Sequence, residues 1–400
     1  MTASDRSATA ERRVVADQDA WCATRTALNA HRPELTRLAA QLYPPDWRVA
    51  DADLLAAPGW IPPTPIPLAR VALSYREDVP PPAVTGAEPV AEETRPLADV
   101  DRRYPRYSEA MADLARPRLF DDRESYRLVH VDLDPARPRL ELGRTSYFEQ
   151  LDVVEPLAHE LARANRGPDG GTGRPNWARV PFRRLLGDPF DLARRALLPS
   201  IDTLTIRWDR RQDSRTFLLH HRDPQKVAVA GGTTHVMPCG VFQPSSSDPA
   251  ARVADFDLWR CLMREYAEEF LGHTEYGADG RLVDYTDEPF RSLDEAYRAG
   301  RLRVFVLGLA LDALTLVGEI LTVCVLDADV YDDVFADVAA ANAEGRSESA
   351  LPFAQDVMDR QLGEGRMAPG GAGCLRLAWE HRAILFEPGG PDGRVSRPGR

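Results

Sequence analysis

The stretch from Val304 to Leu326 (VFVLGLALDALTLVGEILTVCVL) is the longest apolar run in the chain. A membrane helix needs roughly 20 consecutive apolar residues, but Asp312 and Glu319 interrupt this run. It therefore reads as two strands, Val304–Leu311 and Thr315–Leu326, forming a long antiparallel pair. A chain of 400 residues with 44% hydrophobic and 28% charged side chains has room for two or three domains around such a pair.

The sequence before Ser200 has a different texture. Residues 1–15 are polar and read as disordered. The spacing of Trp21, Leu28, Leu35, Leu38 and Leu42 predicts a helix over 17–43, kinked or divided by Pro33. Residues 79–96 read as a proline-rich linker, and Leu68–Tyr75 as a short strand or a helical turn. Tyr126–Leu133 alternates like a strand, whereas 148–163 and 182–198 read as helices. The expected division is thus a mainly helical region over 16–199, an α+β domain over 200–387 and a disordered tail over 388–400. Strands are expected at Thr203–Trp208 and Thr216–His221, and helices at 330–341, 353–362 and 374–385.

Charge and cysteine content narrow the function classes. The net charge of −12 argues against broad electrostatic capture of nucleic acid, and residues 1–60 show no two-helix DNA-reading unit. The five cysteines include no C-x-x-C pair, which argues against a zinc ribbon or a disulfide framework. Cys239 and Cys261 read as small core residues. With no secretory leader pattern at the N-terminus, a reduced, cytoplasmic protein is expected. The glycine-rich stretch 165–176 lacks the Gly-Lys-Ser/Thr ending of a phosphate loop and reads as a surface loop.

The chemistry concentrates on the segment Arg264-Glu265-Tyr266-Ala267-Glu268-Glu269, expected on a helix over 255–271. Residues three and four apart share a helix face. Glu265, Glu268 and Glu269 should therefore project together, opposite an apolar stripe of Phe256, Trp259, Met263, Tyr266 and Phe270. Clustered carboxylates suit a hard cation such as Mg²⁺. The bland alternative is a solvated helix face, where an Arg264–Glu268 pair contributes only about 0.2–0.5 kcal/mol. Upstream, His235-Val236-Met237-Pro238-Cys239-Gly240 reads as a turn, with His235 either a ligand contact or a structural residue. Adjacent His220 and His221 would point to opposite strand faces and cannot share one metal. Asp327, Asp329, Asp332 and Asp333 read as a solvated helix start.

These residues resemble the motif of the Nudix hydrolases, G-x5-E-x7-R-E-U-x-E-E-x-G-U, in which U is bulky and apolar. Gly240 stands as the motif glycine, and Arg264, Glu265, Tyr266, Glu268 and Glu269 match R-E-U-x-E-E in order. There are three departures. Ser246 stands where the first glutamate belongs, the interval from Gly240 to Arg264 is about ten residues too long, and Leu271-Gly272 ends the motif one residue late. The stretch Val236–Gly272 is also similar to actinomycete-type proteins labelled transcriptional regulators.

The resemblance implies a Nudix-like α+β fold, a mixed sheet with flanking helices, from about Thr203 to Leu326. It implies Mg²⁺, with Mn²⁺ as an alternative, on Glu265, Glu268 and Glu269, and Glu319 as a further ligand or base. Arg264 would orient a carboxylate, and Gly240 would let backbone amides approach phosphate. The implied ligand is a nucleoside-diphosphate-type small molecule, hydrolysed with metal assistance. The alternative is a non-catalytic, ligand-sensing regulator. The N-terminal half is expected to cover the sheet and to shape the pocket or a homodimer interface.

Overall fold

The apolar run folds as an antiparallel pair, Leu302–Asp312 with Gly318–Asp327. Nearly every side chain of both strands is buried, so both faces of the sheet must be covered. Gly318–Asp327 pairs in parallel with Pro199–Asp209, the central strand, which turns back antiparallel into Ser214–Phe217. Cys239–Val241 adds antiparallel to the start of the central strand. Helices account for 41% and strands for 23% of the chain, so it is α+β with a mixed sheet. The computed structural model describes residues 3–49, 51–117, 120–165, 175–222, 233–277, 280–336, 345–347 and 350–387. The glycine-rich stretch 166–174, Gly231-Gly232 and the tail 388–400 lie outside them.

Helices cover the sheet on both sides. Pro369–Glu380 packs against Pro199–Asp209, Leu302–Asp312 and Gly318–Asp327. It approaches closely because it is built on glycines: a β-carbon at Gly373 would strike Leu54 and meet Leu321, and one at Gly370 would fall on Asp202. On the opposite face lies the glutamate helix, whose Tyr266 hydroxyl meets Thr205 of the central strand at 2.8 Å. Phe290–Arg298 packs beside it on Leu302–Asp312.

The region before residue 199 departs from expectation in three respects. A helix runs from Ala3 to Ala30, covering much of the stretch expected to be disordered. Its division matches the expectation: a second helix follows over Arg32–Ala40, separated at His31 with Pro33 in its first turn, as proline chemistry requires. The helix expected over 182–198 is confined to Pro181–Leu186: Gly187 takes a left-handed φ of 73° and Pro189 follows, so the winding stops. The region is also less helical than expected. Glu124–Asp132 and Arg139–Ser146 form an antiparallel pair extended in parallel by Ala72–Tyr75.

No seam divides the molecule at residue 200. Leu54–Leu55 and Ile66–Pro67 pair directly onto Leu302–Asp312. One hydrophobic core runs from Leu28 through Leu157, Leu204 and Leu321 to Leu385. Among the described residues, no helix is long and apolar enough to cross a membrane.

Candidate functional site

The turn at Met237-Pro238 delivers Cys239–Val241, here the glycine strand, to the central strand in a fixed register. Cys239 faces Asp202, Gly240 faces Ile201 and Val241 faces Ser200, and the Thr203 N–H donates to the Pro238 carbonyl at 2.9 Å. Because side chains alternate, Cys239 and Asp202 share one face of the sheet and Gly240 turns to the other. There the Glu265 carboxylate rests directly on the Gly240 α-carbon, in space that any β-carbon would occupy.

The glutamate helix begins at Leu258, where the Asp257 carboxylate accepts the N–H groups of Trp259 and Arg260. Its regular winding ends at Glu265 and widens to π winding over Tyr266–Phe270, a local irregularity common at functional sites. Glu269 is buried, and its Oε1 accepts the Cys239 N–H at 3.3 Å and lies 3.7 Å from the Cys239 sulfur. Half-buried Glu268 instead accepts the Tyr276 N–H at 3.0 Å. Two of the three helix glutamates therefore meet the glycine strand, and the third reaches the following loop.

Arg264 is buried and does not hold a helix glutamate. It donates to the Tyr285 hydroxyl (2.5 Å) and the Gln243 carbonyl (2.7 Å) and pairs with Asp255 at 3.2 Å. Asp255 also accepts the Ser245 N–H and the Tyr285 hydroxyl. Arg264 thus fixes the connection between glycine and helix. The extra residues of that connection form the short helix Pro249–Ala254, capped by Asp248. Ser246, in the place of the missing glutamate, accepts the Asp248 N–H at 3.4 Å just before it.

The N-terminal half contributes to this face. Half-buried Arg123 donates to the Ser245 carbonyl at 2.6 Å and pairs with Glu275. Burial pulls its guanidinium below the usual range, opposed first by the neighbouring charge of Glu268 and also by Glu265. Arg252, on the inserted helix, pairs with Glu124, and the Tyr126 hydroxyl donates to the Arg252 carbonyl at 2.8 Å.

Glu319 lies elsewhere. Its strand register sets it opposite Ser200, on the same sheet face as Asp202. A β-carbon at Gly370 would touch Asp202 and lie 3.6 Å from Glu319 Cδ. The Ser200 hydroxyl lies 3.4 Å from Asp202 Oδ1 and 3.2 Å from the Gly240 carbonyl. The carboxylates therefore border the glycine strand from both faces instead of meeting at one point. Among the described residues, one set of three His, Cys, Asp or Glu side chains brings its ligand atoms within 4.8 Å of one another: Asp202, His235 and Cys239, all buried.

Sequence reasoning missed Asp202 because the strand was read from Thr203 onwards. The available signal was an acidic residue inside an apolar strand, between Ile201 and Leu204. The arginines of the 207–215 hairpin meet carboxylates of the chain itself, Arg207 with Asp332 and Arg210 with Asp327. Of two surface clefts, one is lined by Trp60 and Leu133 and one by Glu77, Glu124 and Glu149; neither is lined by the glycine strand or the helix glutamates. No protein-family model and no curated protein matches this chain.

Proposed function

We propose that the chain is a Nudix-like protein that recognises a diphosphate-type small molecule through a divalent cation, Mg²⁺ or Mn²⁺, and hydrolyses it. One observation carries this reading: the Glu265 carboxylate rests directly on Gly240, with the charges of Glu268 and Glu265 both acting on the Arg123 guanidinium. The donor chemistry fits, because Mg²⁺ is commonly held by one or two carboxylates together with substrate phosphates. Glu265 and Glu268, both half-buried, would hold the ion, with Glu269 beside them. Bound there, the cation would polarise a phosphoryl oxygen and acidify an attacking water. Arg123 would pair with phosphate oxygens, Glu268 would accept a proton from water, and Gly240 would keep the approach open. Glu319, on the opposite face, has no part in this step.

Incubation with Mg²⁺ or Mn²⁺ and a panel of nucleoside diphosphate derivatives should release metal-dependent product. Glu265→Gln and Glu268→Gln should each slow release about 10–100-fold, the range for disturbing groups that support a metal site. If neither variant differs from wild type, the catalytic reading fails. A second reading, ligand sensing without turnover, is favoured by the contacts from Arg123 to Ser245 and from Arg252 to Glu124, which tie the site's connection to the N-terminal half. It predicts a rise in melting temperature with ligand and metal but no product.

A further inference from the structure

We propose that Asp202, His235 and Cys239 bind a single zinc-type transition-metal ion, in a site distinct from the Mg²⁺ site above. Asp202, His235 and Cys239 bring their ligand atoms within 4.8 Å of one another. His235 Nε2 stands 3.8 Å from Asp202 Oδ1, and Glu269 Oε1 stands 3.7 Å from the Cys239 sulfur. Ligands around a tetrahedral zinc lie about 3.3–3.7 Å apart, given bonds of about 2.0–2.3 Å, so small side-chain adjustments close the site.

Three further features point to a metal. Asp202 is 1% exposed, and its Oδ2 has no hydrogen-bond partner among the described residues. An ionised carboxylate buried in this way is stabilised by a cation or a metal. His235 Nδ1 lies 3.2 Å from the Val236 carbonyl. A carbonyl only accepts, so Nδ1 is the ring atom that donates there, and Nε2 is left as the ring atom facing Asp202. Finally, a thiolate with an imidazole selects zinc or a related soft metal over Mg²⁺.

All three side chains are at most 4% exposed, so the ion would sit away from bulk solvent, in a structural role. They come from the central strand, the short strand Thr234–Val236 and the glycine strand. The ion would clamp these together and fix Gly240 against Glu265.

The test uses the full chain. Protein purified without added metal should carry zinc at a single ion per chain by elemental analysis. Chelation should lower the melting temperature by several degrees, reversed by Zn²⁺ but not by Mg²⁺. Cobalt replacement should give a thiolate-to-cobalt absorption that Cys239→Ser loses. If that variant fails to fold, the wild-type cobalt spectrum against the free ion decides the matter. Protein without transition metal, with no melting shift from Zn²⁺ or Co²⁺ and no thiolate band, would overturn the proposal. Glu265→Gln and Glu268→Gln should leave zinc content unchanged, so this site and the hydrolytic reading fail separately.

Discussion

Two clusters of buried charge in this molecule are built on opposite plans. In the N-terminal layer, Glu155 is fully buried between two guanidiniums, Arg25 at 2.7 Å and Arg32 at 3.9 Å. Arg25 also donates to the Tyr107 hydroxyl, which meets His159 Nδ1 at 3.0 Å. Burial acts against the Arg25 charge, but Tyr107 and Glu155 outweigh it and its pKa rises. Around the glycine strand, among the described residues, carboxylates come from both sheet faces: Asp202 stands beside His235 on one, and Glu265, whose charge acts on Arg123, rests on Gly240 on the other. The first cluster supplies its own counter-charges and ties helices together, whereas the second gathers side chains of the kinds that can hold a metal ion.

The comparison breaks most readily at Glu155. Glu155→Ala leaves two buried guanidiniums without their carboxylate and should cost about 3–5 kcal/mol in urea unfolding. Replacing Arg25, Arg32 and Glu155 together by Met, Met and Leu should recover most of that loss. A cost below about 1 kcal/mol for the single change would mean that the network is not structural.

Asp202 should behave in the opposite sense. Asp202→Asn removes a buried charge with little change of shape, and should raise the stability of the chelated protein by about 1–2 kcal/mol. The same change should abolish the stabilisation by Zn²⁺. Equal destabilisation with and without metal would erase the contrast between the clusters.

Asp53 gives the smallest and most pH-specific effect. Burial is the main cause that pushes its carboxyl from the ordinary value near 4 up to about 6, against the charge of Arg37 and with that of Asp312. A raised carboxyl pKa means that the folded state holds the proton more tightly than the unfolded chain does. Its contribution is therefore complete below about pH 4 and lost as pH rises through about 6. Asp53→Asn should match wild type at pH 4 and exceed it by about 1 kcal/mol at pH 7, a value kept small by the solvent contact the side chain retains. Stability curves that run parallel from pH 4 to 7 would rule this out.

The sheet's centre was legible in the sequence because long apolar strands carry strong periodicity: Leu302–Asp312 and Gly318–Asp327 lie within a few residues of the expected pair. The glutamate helix was legible for the same reason. Its widening at Tyr266 was not, because winding reflects packing against Thr205 and Phe335 as much as local residue preference. Leu54–Leu55 and Ile66–Pro67 are too short for alternation to register. Asp202 and Cys239 come together only through the register of the central strand, which pairs residues 37 positions apart, and His235 joins them from a strand paired with Leu219–His221. Spacing along the chain says nothing about such a pairing.

The short pairings of Leu54–Leu55 and Ile66–Pro67 have a practical consequence. They occupy the side of Leu302–Asp312 that faces away from Gly318–Asp327. A fragment beginning at residue 200 would leave a long, apolar strand with open backbone donors and acceptors along that side, a template for another copy of itself. Such a fragment is expected to self-associate through this strand, even though it retains every residue of the proposed hydrolytic site except Arg123.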